Sequence, residues 1–213
     1  WARLPDAAIP AGVIQAVADR IEMFRTPDGG YNTVAGEPHG TVTGAYLAFA
    51  AHEDAQRELP RPREVLQSID GLHAADGGYS NEPDMAAGTV PATGGALILQ
   101  HRLGGSIDHK ASDWLWQQAS PAGGFTATPA APVPDLLSTA TAVFAARELG
   151  RPSGGAEHVE DTVLMTEGVQ TAAGGYAGHA LDDHADCEYT YYALVILGCL
   201  MGDTGIVSTD FLT

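Results

Sequence analysis

Four short turns of the form Gly-Gly-aromatic recur along this chain at nearly even spacing. Their first glycines are 48, 46 and 51 residues apart, a period that fits one helical hairpin with its two connections. Glycine is favoured where a chain reverses because it adopts positive φ at little cost. We expect the aromatic residue to pack under each turn. The turns are Asp28-Gly29-Gly30-Tyr31, Asp76-Gly77-Gly78-Tyr79, Ala122-Gly123-Gly124-Phe125 and Ala173-Gly174-Gly175-Tyr176.

An amphipathic helical pattern precedes each turn, and a more apolar pattern follows it. Before the first turn, Val13, Val17 and Ile21 recur at helical spacing. The segments after the turns contain small residues such as Gly94-Gly95-Ala96, which let helices approach closely. We therefore predict an outer layer of helices at about 13–24, 62–73, 107–118 and 158–169, and an inner layer at about 39–52, 87–103, 135–149 and 186–201.

This alternation predicts an all-α fold, an α/α toroid in which one ring of helices lies inside another. We expect a single domain over residues 1–213, as a partial or small α-α barrel. It contains at least four hairpins, at approximately 11–53, 61–104, 107–149 and 155–201, and Ser208 to Thr213 is interpreted as the beginning of another.

The charge balance limits what the chain can bind. Ten lysines and arginines face 27 acidic residues, which gives a formal net charge of -17. This field repels phosphate backbones and anionic lipids, so we expect no nucleic-acid partner and no binding to membrane surfaces. No segment approaches the roughly 20 apolar residues of a membrane span. Because the chain has only two cysteines, Cys187 and Cys199, and no leader pattern, we expect a soluble cytoplasmic protein.

Several of these segments resemble the repeat of protein prenyltransferase β subunits, which also builds squalene and oxidosqualene cyclases. The resemblance rests on Gly123-Gly124-Phe125 through Ser138 to Val143, on Gly77-Gly78-Tyr79 through Thr89, and on Gly174-Gly175-Tyr176 through Tyr192. It covers nearly the whole chain and implies a ring that holds a hydrophobic isoprenoid or polyene. Those families use five to seven hairpins, so we expect a ring that is smaller or open, or one that a homodimer, another partner chain or a missing segment completes.

The segment His179 to Glu188 is the richest in functional side chains, and the resemblance implies two kinds of chemistry there. Zinc-dependent prenyltransferases carry an Asp-x-Cys pair at the start of an inner helix. Here Asp186 matches the aspartate, Glu188 replaces the cysteine and Cys187 lies one position away, so a zinc site would use Asp186, Glu188 and His184.

Class II cyclases instead protonate an alkene with the middle residue of an Asp-x-Asp-Asp motif. The matching run is Ala180-Leu181-Asp182-Asp183, which lacks the first aspartate, and His184 or His179 would be the hydrogen-bond partner of the acid. In a purely structural alternative, Asp186 caps the following helix and Asp182 and Asp183 belong to a solvated loop. The candidate catalytic residues are Asp182, Asp183, His184, Asp186 and Glu188.

Aromatic side chains on the inner segments are candidates for contacts with the ligand, because aromatic faces stabilise cations. The alternative is that they belong to the core, and we assign Trp114 and Trp116 on an outer segment to packing. The candidate substrate-binding residues are His39, Tyr46, Phe144, Cys187, Tyr189 and Tyr192.

Three hypotheses of function follow from the sequence. The first is an enzyme that cyclises a polyene by proton donation from the acidic cluster, which requires no metal. The second is a zinc-dependent prenyltransferase-like subunit, which requires a basic site for diphosphate and has few basic residues available. The third is a helical-repeat module that binds a peptide or a lipid without catalysis.

Overall fold

The computed structural model describes residues 9–201 of the chain, and Ser208 to Thr213, interpreted above as the beginning of a hairpin, lies outside them. The described part contains eight α-helices and one short pair of strands. The helices are α1 Ala11–Glu22, α2 Val42–Asp54, α3 Pro62–Asp70, α4 Val90–Arg102, α5 His109–Trp116, α6 Leu136–Glu148, α7 Ala156–Gly168 and α8 Cys187–Met201, and the strands are β1 Tyr176–Ala177 and β2 Ala185–Asp186.

Side-chain caps determine where the inner helices begin. The Thr41 side chain accepts a hydrogen bond from the N–H of Gly44, and Thr89 accepts one from Ala92 in the same way. Each cap satisfies an amide of the first turn that has no partner within the helix. As a result α2 and α4 begin three residues later than the apolar pattern predicts, because that pattern does not distinguish the loop from the first helical turn.

The helices form two layers. The even-numbered helices form the inner layer, in which α2 packs on α4, α4 on α6 and α6 on α8. On their other side α3 and α5 pack on α4, and α7 packs on α8. The predicted alternation of outer and inner helices is therefore confirmed, and the chain has the predicted all-α toroid fold.

Small residues allow the inner helices to pack closely. A Cβ placed on Gly94 would lie 2.6 Å from the Thr141 side chain, and one on Gly95 would lie 3.0 Å from Val42. Because protein interiors tolerate little overlap, α2, α4 and α6 approach one another this closely only while these positions carry no side chain.

The turns connect the two layers. The first glycine of each turn has positive φ, for example 91° at Gly29 and 84° at Gly123. The aromatic residues Tyr31, Tyr79 and Phe125 are fully buried, as predicted, whereas Tyr176 of the fourth turn is partly exposed.

The packing predicted for Trp114 is confirmed, since its side chain is buried in α5. None of the helices between residues 9 and 201 has the length and apolar character needed to cross a membrane.

Candidate functional site

The acidic segment of the fourth repeat is a loop closed by two short strands. β1 pairs antiparallel with β2, so that Tyr176 lies opposite Asp186 and Ala177 opposite Ala185. The pairing places the intervening residues 178–184 beside the beginning of α8. Sequence periodicity does not indicate this strand pair, because two residues per strand are too few for an alternating pattern.

The loop brings Asp182, Asp183 and His184 together. His184 Nδ1 lies 2.6 Å from an Asp183 carboxylate oxygen and 3.7 Å from Asp182 Oδ1. The side chains of His184 and Asp183 are 89% and 91% exposed, whereas that of Asp182 is 30% exposed. An ion pair this exposed contributes little to stability.

A backbone hydrogen bond lowers the pKa of Asp182. Its Oδ1 accepts a hydrogen bond from the His184 backbone N–H at 3.0 Å, and this bond is the main cause that lowers the pKa of Asp182. The carboxyl group is therefore ionised at neutral pH. A group that protonates an alkene must instead carry its proton at the working pH.

Asp186 directly precedes α8, Glu188 lies in its first turn, and both have structural partners. Asp186 Oδ1 accepts a hydrogen bond from the Tyr189 N–H at 2.7 Å, which is the capping role considered above. Glu188 accepts a hydrogen bond from the Tyr192 hydroxyl at 2.9 Å, one helical turn further on.

The proposed zinc set of Asp186, Glu188 and His184 needs a correction. Within residues 9–201, the group whose ligand atoms all lie within 4.8 Å of one another is instead Asp182, Asp183 and His184. The Asp186 carboxylate accepts the hydrogen bond that caps α8, and the Glu188 carboxylate accepts the hydrogen bond of the Tyr192 hydroxyl. The residues present do not fit a zinc site of the prenyltransferase type, because a catalytic zinc ion needs three protein ligands that converge on one point and Asp186, Glu188 and His184 do not form such a group.

The remaining candidates of the loops lie at the surface. His39 is exposed, and its backbone carbonyl accepts a hydrogen bond from Asn32 Nδ2 at 2.8 Å. Cys187 is the exposed first residue of α8. Tyr189 packs over Gly178, where a Cβ would lie 2.7 Å from its ring.

A second arrangement runs along the inner helices. Thr93, Thr139 and Thr190 accept hydrogen bonds from the N–H groups of the turn aromatics at 2.9, 3.0 and 3.1 Å, so they mark equivalent positions facing the turns. The residue two positions after each of these threonines points about 200° away from it around the helix axis, and so lies on the face opposite the turns. We call this opposite face the inner stripe. It comprises Thr43, Leu47 and Ala50 of α2, Pro91, Gly95, Ile98 and Arg102 of α4, Leu137, Thr141, Phe144 and Glu148 of α6, and Glu188, Tyr192, Val195 and Cys199 of α8.

The central part of the inner stripe is apolar and partly open. Leu47 is 56% exposed. Phe144, Tyr192 and Val195 are partly buried and pack against the core. Two predicted substrate-binding residues, Phe144 and Tyr192, therefore share one face, while Tyr46 packs against the core beside it. Leu47 was not predicted, and the register of α2 relative to the other inner helices is the signal that identifies it.

The two ends of the inner stripe are polar. At the carboxyl end Arg102 bridges Glu148, at 3.0 Å, and Glu53, and its guanidinium lies 5.7 Å from the centre of the Phe49 ring. Arg102 is the only basic residue of the stripe as defined, and both of its neighbours are carboxylates. At the amino end lies Glu188.

The Tyr192 hydroxyl remains a hydrogen-bond donor at neutral pH. Burial raises the pKa of Tyr192, and the hydrogen bond to Glu188 raises it further. The pair therefore presents a neutral phenol and a carboxyl group at the edge of an apolar surface.

Fold and site together define a helical-repeat protein of the α/α toroid class, and solved structures share this fold. The chain is similar to Candida albicans protein geranylgeranyltransferase-I complexed with GGPP, at 12% identity and a TM-score of 0.69 over 92% of this chain and 65% of that one. It is also similar to the type II terpene cyclase MstE from Scytonema, at 14% identity and a TM-score of 0.69 over 98% of this chain and 60% of that one.

A variant of the same cyclase in complex with geranylgeranyl dihydroxybenzoate, its substrate, matches at 14% identity with a TM-score of 0.66, over 92% of this chain and 58% of that one. No protein-family model matches the sequence, and no curated protein matches it. At these identities the likeness establishes the fold. The chain spans less than two thirds of the length of these structures.

Proposed function

We propose that the chain binds an uncharged isoprenoid or polyene along the inner stripe. The observation that carries this proposal is an apolar, partly open surface on the inner helices of a chain with a net charge of -17. A long hydrocarbon gains free energy from such a surface in proportion to the apolar area that it removes from water. The solved structures with GGPP and with geranylgeranyl dihydroxybenzoate support this choice of ligand class.

The charges around the inner stripe favour a neutral ligand over a diphosphate. Arg102 is already paired with Glu53 and Glu148, so a diphosphate would have to displace these carboxylates. A diphosphate without a cationic partner would also experience the repulsion of the acidic chain as a whole. The preference for a neutral ligand distinguishes the proposal from the prenyltransferase alternative, which needs cationic residues that bind a diphosphate.

Titration calorimetry with farnesol and with farnesyl diphosphate tests the proposal. We expect heat of binding with the alcohol and at least roughly tenfold weaker binding of the diphosphate, a difference of about 1.4 kcal/mol. The substitution Leu47→Asp should weaken the binding of farnesol by a similar factor, because it places a charge on the apolar stripe.

Leu164→Asp is the matched control, since Leu164 is 58% exposed on the outer helix α7 and Leu47 is 56% exposed. It should leave the affinity for farnesol unchanged. Equal effects of the two substitutions, or tighter binding of the diphosphate, would contradict the inner stripe as the site.

Cyclisation by proton donation is the second candidate function, and Glu188 is the acid that its geometry favours. Among the candidate catalytic residues, Glu188 is the one that lies on the inner stripe, 2.9 Å from the Tyr192 hydroxyl, which can accept a hydrogen bond from the protonated carboxyl group. In this reaction the protonated carboxyl group transfers its proton to a terminal alkene carbon. The alkene electrons form the new C–C bonds, and the last carbocation loses a proton to water. The faces of Phe144 and Tyr192 would stabilise the intermediate cation.

Product analysis with a C20 polyene alcohol tests this candidate. We expect Glu188→Gln to abolish cyclised products and to leave binding of the polyene intact, whereas Glu160→Gln, at an exposed position of α7, should behave as the wild type. Binding without any product in the wild type would instead favour the non-catalytic module. Stoichiometric zinc with prenyl transfer would favour the metalloenzyme alternative.

The cytoplasmic location stays a prediction of the sequence.

A further inference from the structure

Each of the first three Gly-Gly turns is covered by the outer helix of the following repeat. The Gly124 N–H donates a hydrogen bond to Thr162 Oγ1 at 2.9 Å. Side chains on these glycines would overlap the covering helix. A Cβ would lie 2.7 Å from Glu64 Cβ at Gly29 and 2.9 Å from the Trp114 ring at Gly78, and at Gly123 it would collide with the Asp161 carbonyl.

The residues that contact the turns, such as Glu64, Trp114 and Asp161, lie 13 or 9 positions before the first glycine of their own turn. Beside them, the residues 12 and 8 positions before that glycine are buried in all three outer helices. These residues are Val65 and Ile69 of α3, Ala111 and Leu115 of α5, and Thr162 and Thr166 of α7. The same register on α1 is occupied by Val17 and Ile21, and here Val17 is 42% exposed. The first outer helix therefore carries a covering face with no turn beneath it among the described residues.

The fourth turn, in contrast, has no outer helix covering it among the described residues. A Cβ placed on Gly174 would have no atom within 4 Å, and Gly174 is exposed. An open depression lies beside it, bounded by Gly175 and Cys187 and by two large side chains, Tyr191 at 61% and Leu194 at 59% exposure. In the three preceding repeats this place holds an outer helix.

A second contact between repeats is a backbone hydrogen bond, and its donor and acceptor positions recur at the two ends of the described chain. The backbone carbonyls of Ala127 and Gly178 accept hydrogen bonds at 2.9 Å from the first amides of the preceding inner helices, Val90 and Leu136. These carbonyls belong to the second residue after each turn aromatic. At the ends of the described chain the equivalents are the carbonyl of Thr33, which is exposed, and the amide of Cys187.

We propose that a second copy of this chain covers the fourth turn, with its α1 packed on Gly174 and Gly175 in the register of the three internal contacts. In this head-to-tail contact Val17 and Ile21 of one copy face the depression beside α8 of the other. The carbonyl of Thr33 then lies where it accepts a hydrogen bond from Cys187. The contact repeats an interface that the chain already forms three times, and it depends on no ligand.

The distribution of charge favours this orientation. All ten basic residues precede residue 152, and six of them lie at or before Arg63. From residue 152 onward the chain carries ten acidic residues and none that is basic. Head-to-tail contact places the least acidic end of one copy against the most acidic end of another, whereas a contact between two α8 ends would bring like charges together.

Sedimentation velocity of the full chain over a range of concentrations is the first test. We expect self-association of the wild type, and we expect Val17→Asp to weaken it at least roughly tenfold, because a carboxylate would enter an apolar and acidic interface. Leu164→Asp is the matched control, since Leu164 is 58% exposed on α7 at a position that is also exposed on α3 and α5, and it should associate as the wild type does.

A wild type that stays monomeric at every concentration would overturn the proposal and would assign the cover of the fourth turn to another occupant, such as residues 202–213. Equal association of the two variants would overturn it as well.

Disulfide trapping tests the register. Asp28 and Ser68 are joined by a 2.9 Å hydrogen bond in the first internal contact, and their equivalents at the free ends are Ala173 and Arg20. A disulfide requires Cα atoms within about 7 Å of each other, so its formation reports the close approach of these two positions. In a Cys187→Ser background, a mixture of Arg20→Cys and Ala173→Cys proteins should give a covalent dimer upon mild oxidation.

Neither protein should give a covalent dimer alone. Gln67→Cys, at an exposed position of α3, should not couple to Ala173→Cys and is the control for random collision. Coupling of Arg20→Cys to itself with the same yield as in the mixture would overturn the head-to-tail register in favour of a symmetric contact.

Discussion

Gly123 and Gly174 occupy the same position in successive turns, with φ of 84° and 90°. Their surroundings differ, because the outer helix α7 covers Gly123 whereas Gly174 is open. The comparison separates two costs of a side chain at this position. One is the strain of positive φ, which both turns share, and the other is the collision with the next repeat, which only the covered turn experiences.

We expect Gly123→Ala to lower the free energy of unfolding by about 2 kcal/mol more than Gly174→Ala, because the new Cβ collides with the Asp161 carbonyl. The strain of positive φ, about 1–2 kcal/mol, should be common to both. Urea unfolding in the Val17→Asp background, where the fourth turn stays uncovered, measures the difference. Equal losses would mean that α7 yields to the added methyl group without cost.

Sequence periodicity was sufficient to predict the helices, and local chemistry was needed to place their ends. Apolar spacing predicts the outer helices, and the apolar, small-residue content of the segments after the turns predicts the inner ones. The beginnings of α2 and α4 depend on the caps Thr41 and Thr89, which the apolar pattern does not contain. The β1–β2 pair depends on contacts within a single loop, and no local preference indicates it.

The prediction of the candidate site was limited in a different way. A dense acidic segment is visible in composition alone, but its exposure is a property of the folded loop. The inner stripe depends on the register between helices that lie about one repeat apart in the chain. Phe144 and Tyr192 were recognisable as aromatic residues on inner segments, whereas Leu47 differs from other leucines only in where α2 places it.

Thr139 tests how α6 is joined to its turn. Its hydroxyl oxygen accepts the Phe125 N–H at 3.0 Å in a buried site, so Thr139→Val leaves that amide without a partner. We expect a loss of about 1–3 kcal/mol in the free energy of unfolding. Thr141→Val is the control on the same helix, because the Thr141 hydroxyl bonds only to the Leu137 carbonyl of its own helix. The two variants are compared by urea unfolding, and equal losses would show that the bond to the turn is dispensable.

At the scale of the whole molecule, the four repeats between residues 9 and 201 have two unlike ends. The α1 end carries a helix face that is buried in every later repeat, and the α8 end carries a turn that is covered in every earlier one. Repeat proteins gain much of their stability from contacts between neighbouring repeats, so each uncovered end forgoes one such contact. A head-to-tail contact between copies would recover both kinds of contact with one interface.

Cys187 reports on this contact without any substitution. It is exposed in the single chain, and it borders the depression that a second copy would cover, so its alkylation should slow as the protein concentration rises. In Val17→Asp the rate should stay fast at every concentration, because association is weakened there. Cys199 is 6% exposed and serves as an internal reference, since its slow reaction should not depend on concentration. Alkylation followed by peptide mass spectrometry separates the two thiols. A Cys187 rate that is independent of concentration in the wild type would show that the α8 end stays open, and the covering face of α1 would then need another partner.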